Sequence, residues 1–178
     1  GVLRGKTLAA RTIGLRADMD ALAMTENNQF AHASLNQGKM HGCGHDGHTT
    51  MLLAAAWYLA KHRDFSGTVH FIFQPAEEGL AGAKAMMDDG LFERFPCDRV
   101  YGIHNMPGIP QGEFWFREGP LLASSDRFTI DVHGKGGHAA MPQHTVDPML
   151  IVSAIISGAQ SIVSRNTAPL DSAVLSFT

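Results

Sequence analysis

The run Val69-His70-Phe71-Ile72-Phe73 is apolar at both phases of an extended chain. Val69, Phe71 and Phe73 alternate with His70 and Ile72, so a strand over residues 67–73 needs cover on both faces. Such a strand belongs inside a sheet flanked by helices. Thr12-Ile13-Gly14-Leu15-Arg16-Ala17 and Arg99-Val100-Tyr101-Gly102-Ile103 read as shorter strands before and after it. Between them, residues 48–62 read as a helix with Leu52, Ala55, Ala56 and Leu59 on one side. Residues 81–89 read as a second, short helix closed by Gly90, a good residue just past a helix end. Strands alternating with helices predict an α/β domain with an at least partly parallel sheet. In such sheets, sites gather where strands end and loops begin. Asp18, Glu77, Glu78 and His104 all follow strand-like runs.

A second unit is expected from Ala123 onward, giving domains over residues 1–122 and 123–178. Phe128, Ile130 and Val132 alternate with polar residues, the pattern of a half-buried strand. Gly134-Lys135-Gly136-Gly137 forms a turn before His138. A long helix then begins with Asp147 as N-cap and Pro148 in its first turn, with an apolar stripe of Ile151, Ile155, Ile162 and Val163. Ala173-Val174-Leu175-Ser176-Phe177 reads as a closing strand, so this unit is expected to be a small α+β lid.

Composition narrows the partners. With 178 residues and 44% hydrophobic side chains, the chain can bury a core. A net charge of −3 with interspersed charges and no basic patch argues against nucleic acid. No apolar run is read as approaching the roughly 20 residues of a membrane span, and the first residues do not read as a signal peptide. Cys43 and Cys97 are expected to be reduced thiols, which fits a cytoplasmic setting.

The chemistry gathers in three places. Cys43-Gly44-His45-Asp46-Gly47-His48 sets thiol and imidazole donors close together on a loop; these donor types suit zinc and other transition metals. Glu77 and Glu78 are adjacent like charges that need a compensating cation or solvent. With a metal beside them, one glutamate can ligate it while the other takes a proton from an attacking water. His104 ends a strand and could complete the donor set. Asp18 and Asp20 bracket Met19 and point the same way, as ligands or as carboxylates orienting a ligating imidazole. His138, after its glycines, could donate to a developing oxyanion or be a surface histidine of the lid. H-E-x-x-H, G-x-S-x-G, the Walker loop and the zinc deaminase pattern are all absent.

Five ordered motifs then coincide: Arg16-Ala17-Asp18-Met19-Asp20-Ala21-Leu22, Met40-His41-Gly42-Cys43-Gly44-His45-Asp46-Gly47-His48, Phe73-Gln74-Pro75-Ala76-Glu77-Glu78-Gly79, Gly102-Ile103-His104 and Gly134-Lys135-Gly136-Gly137-His138-Ala139-Ala140. Through nearly its whole length the chain resembles the amidohydrolases of the hippurate hydrolase, N-acyl-amino-acid and indole-acetyl-amino-acid hydrolase group, within a larger clan of dinuclear metallopeptidases. The resemblance implies a three-layer α/β catalytic domain, present in part, with a smaller α+β lid that dimerises. It implies Cys43, His45, Glu78 and His104 as ligands to two divalent ions (zinc, manganese, cobalt or nickel). It also implies Glu77 as general base, Asp20 as the aspartate behind the ligands, and His138 as a lid histidine reaching the partner subunit's site. The implied reaction is hydrolysis of the amide bond of a small N-acyl-amino acid. Ala23 departs from the proline usual after Ala-Leu. Relatives of this kind are about twice as long and supply a further histidine ligand from a later segment. A catalytically incomplete metal-binding or dimerisation module, or a single structural zinc module, are the alternative expectations.

Overall fold

The computed structural model describes residues 1–178, the side chain of Leu8 apart. It forms two compact units, Gly1–Trp115 and Phe116–Thr178.

The first unit is built on a four-stranded mixed sheet of order β1-β3-β2-β4. Its strands are β1 (Val2–Arg4), β2 (Thr7–Asp18), β3 (Ser66–Gln74) and β4 (Arg99–Gly102). β2 pairs in parallel with both β3 and β4, and β1 runs antiparallel along the outer side of β3. The short β1 was not expected, and β2 starts earlier than its apolar pattern, with a register shift between Thr7 and Thr12. β3 is buried along most of its length, as its two-phase apolar run requires.

Helix α1 (His45–Lys61) lies against this sheet. Leu52 on its inner face joins Leu3, Ala17, Val69 and Phe71 in the core, with Ala56 and Leu59 packed beside them. Each fully buried Leu or Phe contributes about 2 kcal/mol by area. The helix starts three residues earlier than position 48 because Gly44 (φ 87) turns left-handed and lets His45 enter the first turn. α2 (Gly82–Asp88) and α3 (Leu91–Arg94) follow β3 and are separated by Gly90 (φ 82). Cys43 and Cys97 are free thiols.

In the second unit, α4 (Pro148–Asn166) starts as expected: Pro148 sits in the first turn, and the Asp147 carboxylate accepts the Met149 N–H at 2.9 Å. Val152, Ile155, Ala159 and Val163 form its half-buried stripe, while Ile151 and Ile162 face outward. α4 is also long and apolar enough, by length and composition, to cross a membrane. That corrects the expectation that no run reaches this length. Its apolar residues are spaced by Ser153, Ser157, Gln160 and Ser161, which hid the run from inspection. The strands expected around 128–132 and 173–177 are not formed. Phe128, Ile130 and Val174 are exposed, and only the Lys135–Val146 bridge makes a ladder contact in this unit among the described residues. Alternation reports a face that wants cover; a strand also needs a neighbour for its N–H and C=O groups.

Candidate metal centre

The parallel register fixes the address of the site. Asp18 is level with Gln74, and Arg16 with Gly102, so β2, β3 and β4 end on one edge of the sheet. The residues just past those ends are Asp20, Glu77, Glu78 and His104, and the N-terminus of α1 brings in Cys43 and His45. Ala76, at φ 53, is a left-handed non-glycine residue in the turn carrying the two glutamates. Gly82 makes room for that turn, since a Cβ there would lie 1.8 Å from the Pro75 carbonyl oxygen.

His45 is fully buried. Its Nδ1–H donates to the Asp20 backbone carbonyl at 3.0 Å, which leaves the lone pair on Nε2. That Nε2 has no hydrogen-bond partner among the described residues. It lies 3.7 Å from Asp18 Oδ2 and 3.8 Å from Glu78 Oε1, acceptors facing an acceptor. Asp20 Oδ1 is likewise buried without a partner, while its Oδ2 accepts the Glu78 N–H at 3.1 Å. Leaving such groups unmade costs about 1–3 kcal/mol each.

His104 repeats the arrangement at the neighbouring strand end. Its Nδ1–H donates to the Asn105 carbonyl at 2.6 Å, and its Nε2 lies 3.5 Å from Cys43 Sγ. Cys43, His45 and His104 each offer a ligand atom within 4.8 Å of the others, and so do His45, Glu77 and Glu78. His45 is common to both groups.

Electrostatics points the same way. Burial, and then the hydrogen bond and charge of Glu78 with help from Glu77 and Asp18, push the Cys43 thiol up to about 11. Burial alone would raise the Asp20 carboxyl, but backbone N–H donors from Glu78 and Glu77 and the nearby His45 outweigh it and hold it low. A cluster of acceptors that resists a further anion, with two buried lone pairs open, suits a divalent cation. Thiolate, imidazole and carboxylate together fit zinc and also manganese, cobalt or nickel.

A third grouping, Asp18, His45 and His48, meets the same distance limit but is closed by hydrogen bonds. Asp18 Oδ1 accepts from His48 Nδ1–H at 2.6 Å and Oδ2 from Arg16 Nη1 at 2.7 Å. His48 Nε2 accepts the Asn105 N–H at 2.9 Å. Asp18 is therefore not an open ligand. Burial would raise its carboxyl, but the His48 bond and the charges of Arg16, His45 and His48 hold it below the usual range. His48, Asn105 and Arg16 were not singled out from the sequence. The available signal was spacing: His48 stands three residues after His45, on the same helical face.

His138 lies in the second unit and is not among the clustered donors. It is exposed, and its Nδ1 accepts the Ala140 N–H at 3.1 Å.

Residues 14–174 match peptidase family M20/M25/M40. The chain is 51% identical over 177 residues to a hippurate hydrolase of Campylobacter jejuni, covering 99% of this chain and 46% of that protein. It is 50% identical over 167 residues to IAA-amino acid hydrolase ILR1-like 2 of Arabidopsis thaliana, covering 93% and 38%. A crystal structure of a dinuclear metal-binding peptidase from the M20 family of Bacillus subtilis superposes with a TM-score of 0.65 at 34% identity, covering 90% of this chain and 42% of that one. The chain spans less than half the length of these relatives.

Proposed function

The chain belongs to peptidase family M20/M25/M40, and from that premise we propose that it carries most of the metal centre of an amidohydrolase acting on small N-acyl-amino acids. The observation that carries this reading is the buried, unpartnered His45 Nε2 facing the Asp18 and Glu78 carboxylates. Cys43, His45, Glu78 and His104 would hold the metal, and the dinuclear relative supports a pair of ions. Bound there, divalent ions supply Lewis-acid polarisation of the amide carbonyl and make a nearby water more acidic.

The chain's own residues divide the remaining work. Glu77 is exposed beside Glu78 and is free to take the proton of the attacking water. As water oxygen joins the acyl carbon and the C–N bond breaks, Glu77 returns that proton to the leaving amine. The products are a carboxylic acid and an amino acid. Asp20 fixes the His45 ring through its backbone carbonyl and the Glu78 backbone through its carboxylate. The lid, from about residue 123, carries the dimer contact and presents His138 to the partner's site. Because His138 Nδ1 accepts the Ala140 N–H, the neutral ring carries its proton on Nε2, a donor suited to an oxyanion. A cytoplasmic setting suits a centre that depends on the free Cys43 thiol.

The test is Glu77→Gln in the polypeptide as its gene encodes it, with metal content measured beside hydrolysis of N-benzoyl and N-acetyl amino acids. The expected result is unchanged metal content and a rate lower by about 10²-fold or more. Unchanged hydrolysis removes Glu77 from the mechanism.

A further inference from the structure

Beneath the donor cluster a continuous chain of hydrogen bonds runs from Arg16 to His104. Arg16 begins it. Its Nε and Nη2 donate to Gln74 Oε1 at 2.8 and 2.6 Å, which fixes the guanidinium across the ends of β2 and β3. Its Nη1 donates to Asp18 Oδ2 at 2.7 Å. His48 Nδ1–H donates to the other oxygen, Asp18 Oδ1, at 2.6 Å. With its Nδ1–H on Asp18, His48 Nε2 accepts the Asn105 N–H at 2.9 Å, and Asn105 Oδ1 lies beside the same nitrogen at 2.6 Å. Asn105 then passes the constraint across its own residue: its carbonyl accepts His104 Nδ1–H at 2.6 Å. The last link leaves His104 Nε2 unprotonated and 3.5 Å from Cys43 Sγ.

Asp18 and His48 are each about 1% exposed, so the bond between them is shielded from competing water. Gly44 lets the loops close over them, since a Cβ there would lie 2.5 Å from Asn105 Oδ1. No oxygen of Asp18 and no nitrogen of His48 is left over to bind a substrate. Asp18 has given both oxygens and His48 both nitrogens to the chain.

We infer that Arg16, Asp18 and His48 are positioning residues that act through Asn105 to orient the His104 imidazole toward the metal. His45 is fixed separately by the Asp20 carbonyl, so this relay governs the His104 side of the centre. The inference rests on the metal-centre reading above, and its test separates the two.

The experiment titrates Co(II) into the metal-free protein, as its gene encodes it, and records affinity together with the visible absorption of the bound ion. His48→Phe keeps a ring of similar size and removes both nitrogens; it is expected to weaken Co(II) binding about 10- to 100-fold and to change the absorption envelope. His48→Gln returns an acceptor for the Asn105 N–H, so it is expected to bind at least about threefold more tightly than His48→Phe. A purely volumetric role for His48 predicts no such rescue. Equal affinities for the two variants, or a folded His48→Phe that matches the parent in affinity and spectrum, overturn the relay. If His48→Phe loses cooperative unfolding, Arg16→Met decides: it touches none of the donors, and the relay predicts weaker binding and an altered spectrum, whereas an unchanged titration overturns it. A parent protein that takes up no Co(II) overturns the metal-centre reading and the relay with it. Normal parent binding with indifferent variants overturns the relay alone.

Discussion

Replacing Gly44 with alanine tests whether the site depends on close approach between its loops. Gly44 is left-handed (φ 87), so any L side chain costs about 1–2 kcal/mol there. The new Cβ would also stand 2.5 Å from Asn105 Oδ1 and 2.8 Å from its Cγ. Contacts that short must be relieved by moving Asn105, whose backbone N–H donates to His48 Nε2 at 2.9 Å. Losing that contact adds about 1 kcal/mol, for a total of about 2–3 kcal/mol. Gly38 supplies the control: it is also left-handed (φ 71), but nothing lies within 4 Å of its Cβ position. Gly38→Ala should therefore cost only the backbone term, about 1–2 kcal/mol. Urea unfolding of the metal-free protein, compared at equal slope, reads the difference. Co(II) affinity should fall about tenfold in Gly44→Ala and stay within about twofold in Gly38→Ala. Equal unfolding midpoints and equal affinities in the two variants would refute the close-approach reasoning.

Removal of metal should lower the thermal midpoint and restore it on re-addition; at about a thousand times Kd the bound ion contributes about 4 kcal/mol, and a melting curve indifferent to chelator contradicts the centre. Asp147→Ala removes the side chain that accepts the Met149 N–H and should cost about 1 kcal/mol, read as faster amide exchange in the first turn of α4. Burial, and then the Asp98 charge, raise the Cys97 thiol. Cys97 should therefore alkylate more slowly than a cysteine in a short peptide at pH 8, and equal rates would contradict its burial.

The fold was legible where the pattern was strong on two counts. β3 announced itself because both phases were apolar, and the ends of β2, β3 and β4 could be placed together because parallel strands finish on one edge. β1 was invisible: three residues carry too little periodicity, and antiparallel pairing with β3 is what makes them a strand. The start of α1 was misplaced because sequence pattern sees apolar residues, whereas His45 is drawn into the first turn by Gly44 and by the Asp20 carbonyl. In the second unit, alternation at Phe128, Ile130 and Val132 was legible as a face but not as a ladder, since the pairing partner is not written in the segment itself.

The donor set was legible as residue types, whereas the division of labour within it came from the resemblance and not from the residue types themselves. Asp18 and Asp20 look alike in sequence, as do His45 and His48. What separates them is how many lone pairs remain after local hydrogen bonds are made. Arg16 and His48 use both Asp18 oxygens, and Asp18 and Asn105 use both His48 nitrogens. His45 and His104 each spend one nitrogen on a backbone carbonyl; the other is unpartnered in His45 and faces the Cys43 thiol in His104. Backbone carbonyls cannot be read from residue identity, because every residue has one. In the proposed centre, a histidine's role would therefore follow from the bond made by its second nitrogen: the nitrogen turned to the donor cluster would ligate, and a ring with both nitrogens held by its neighbours would support.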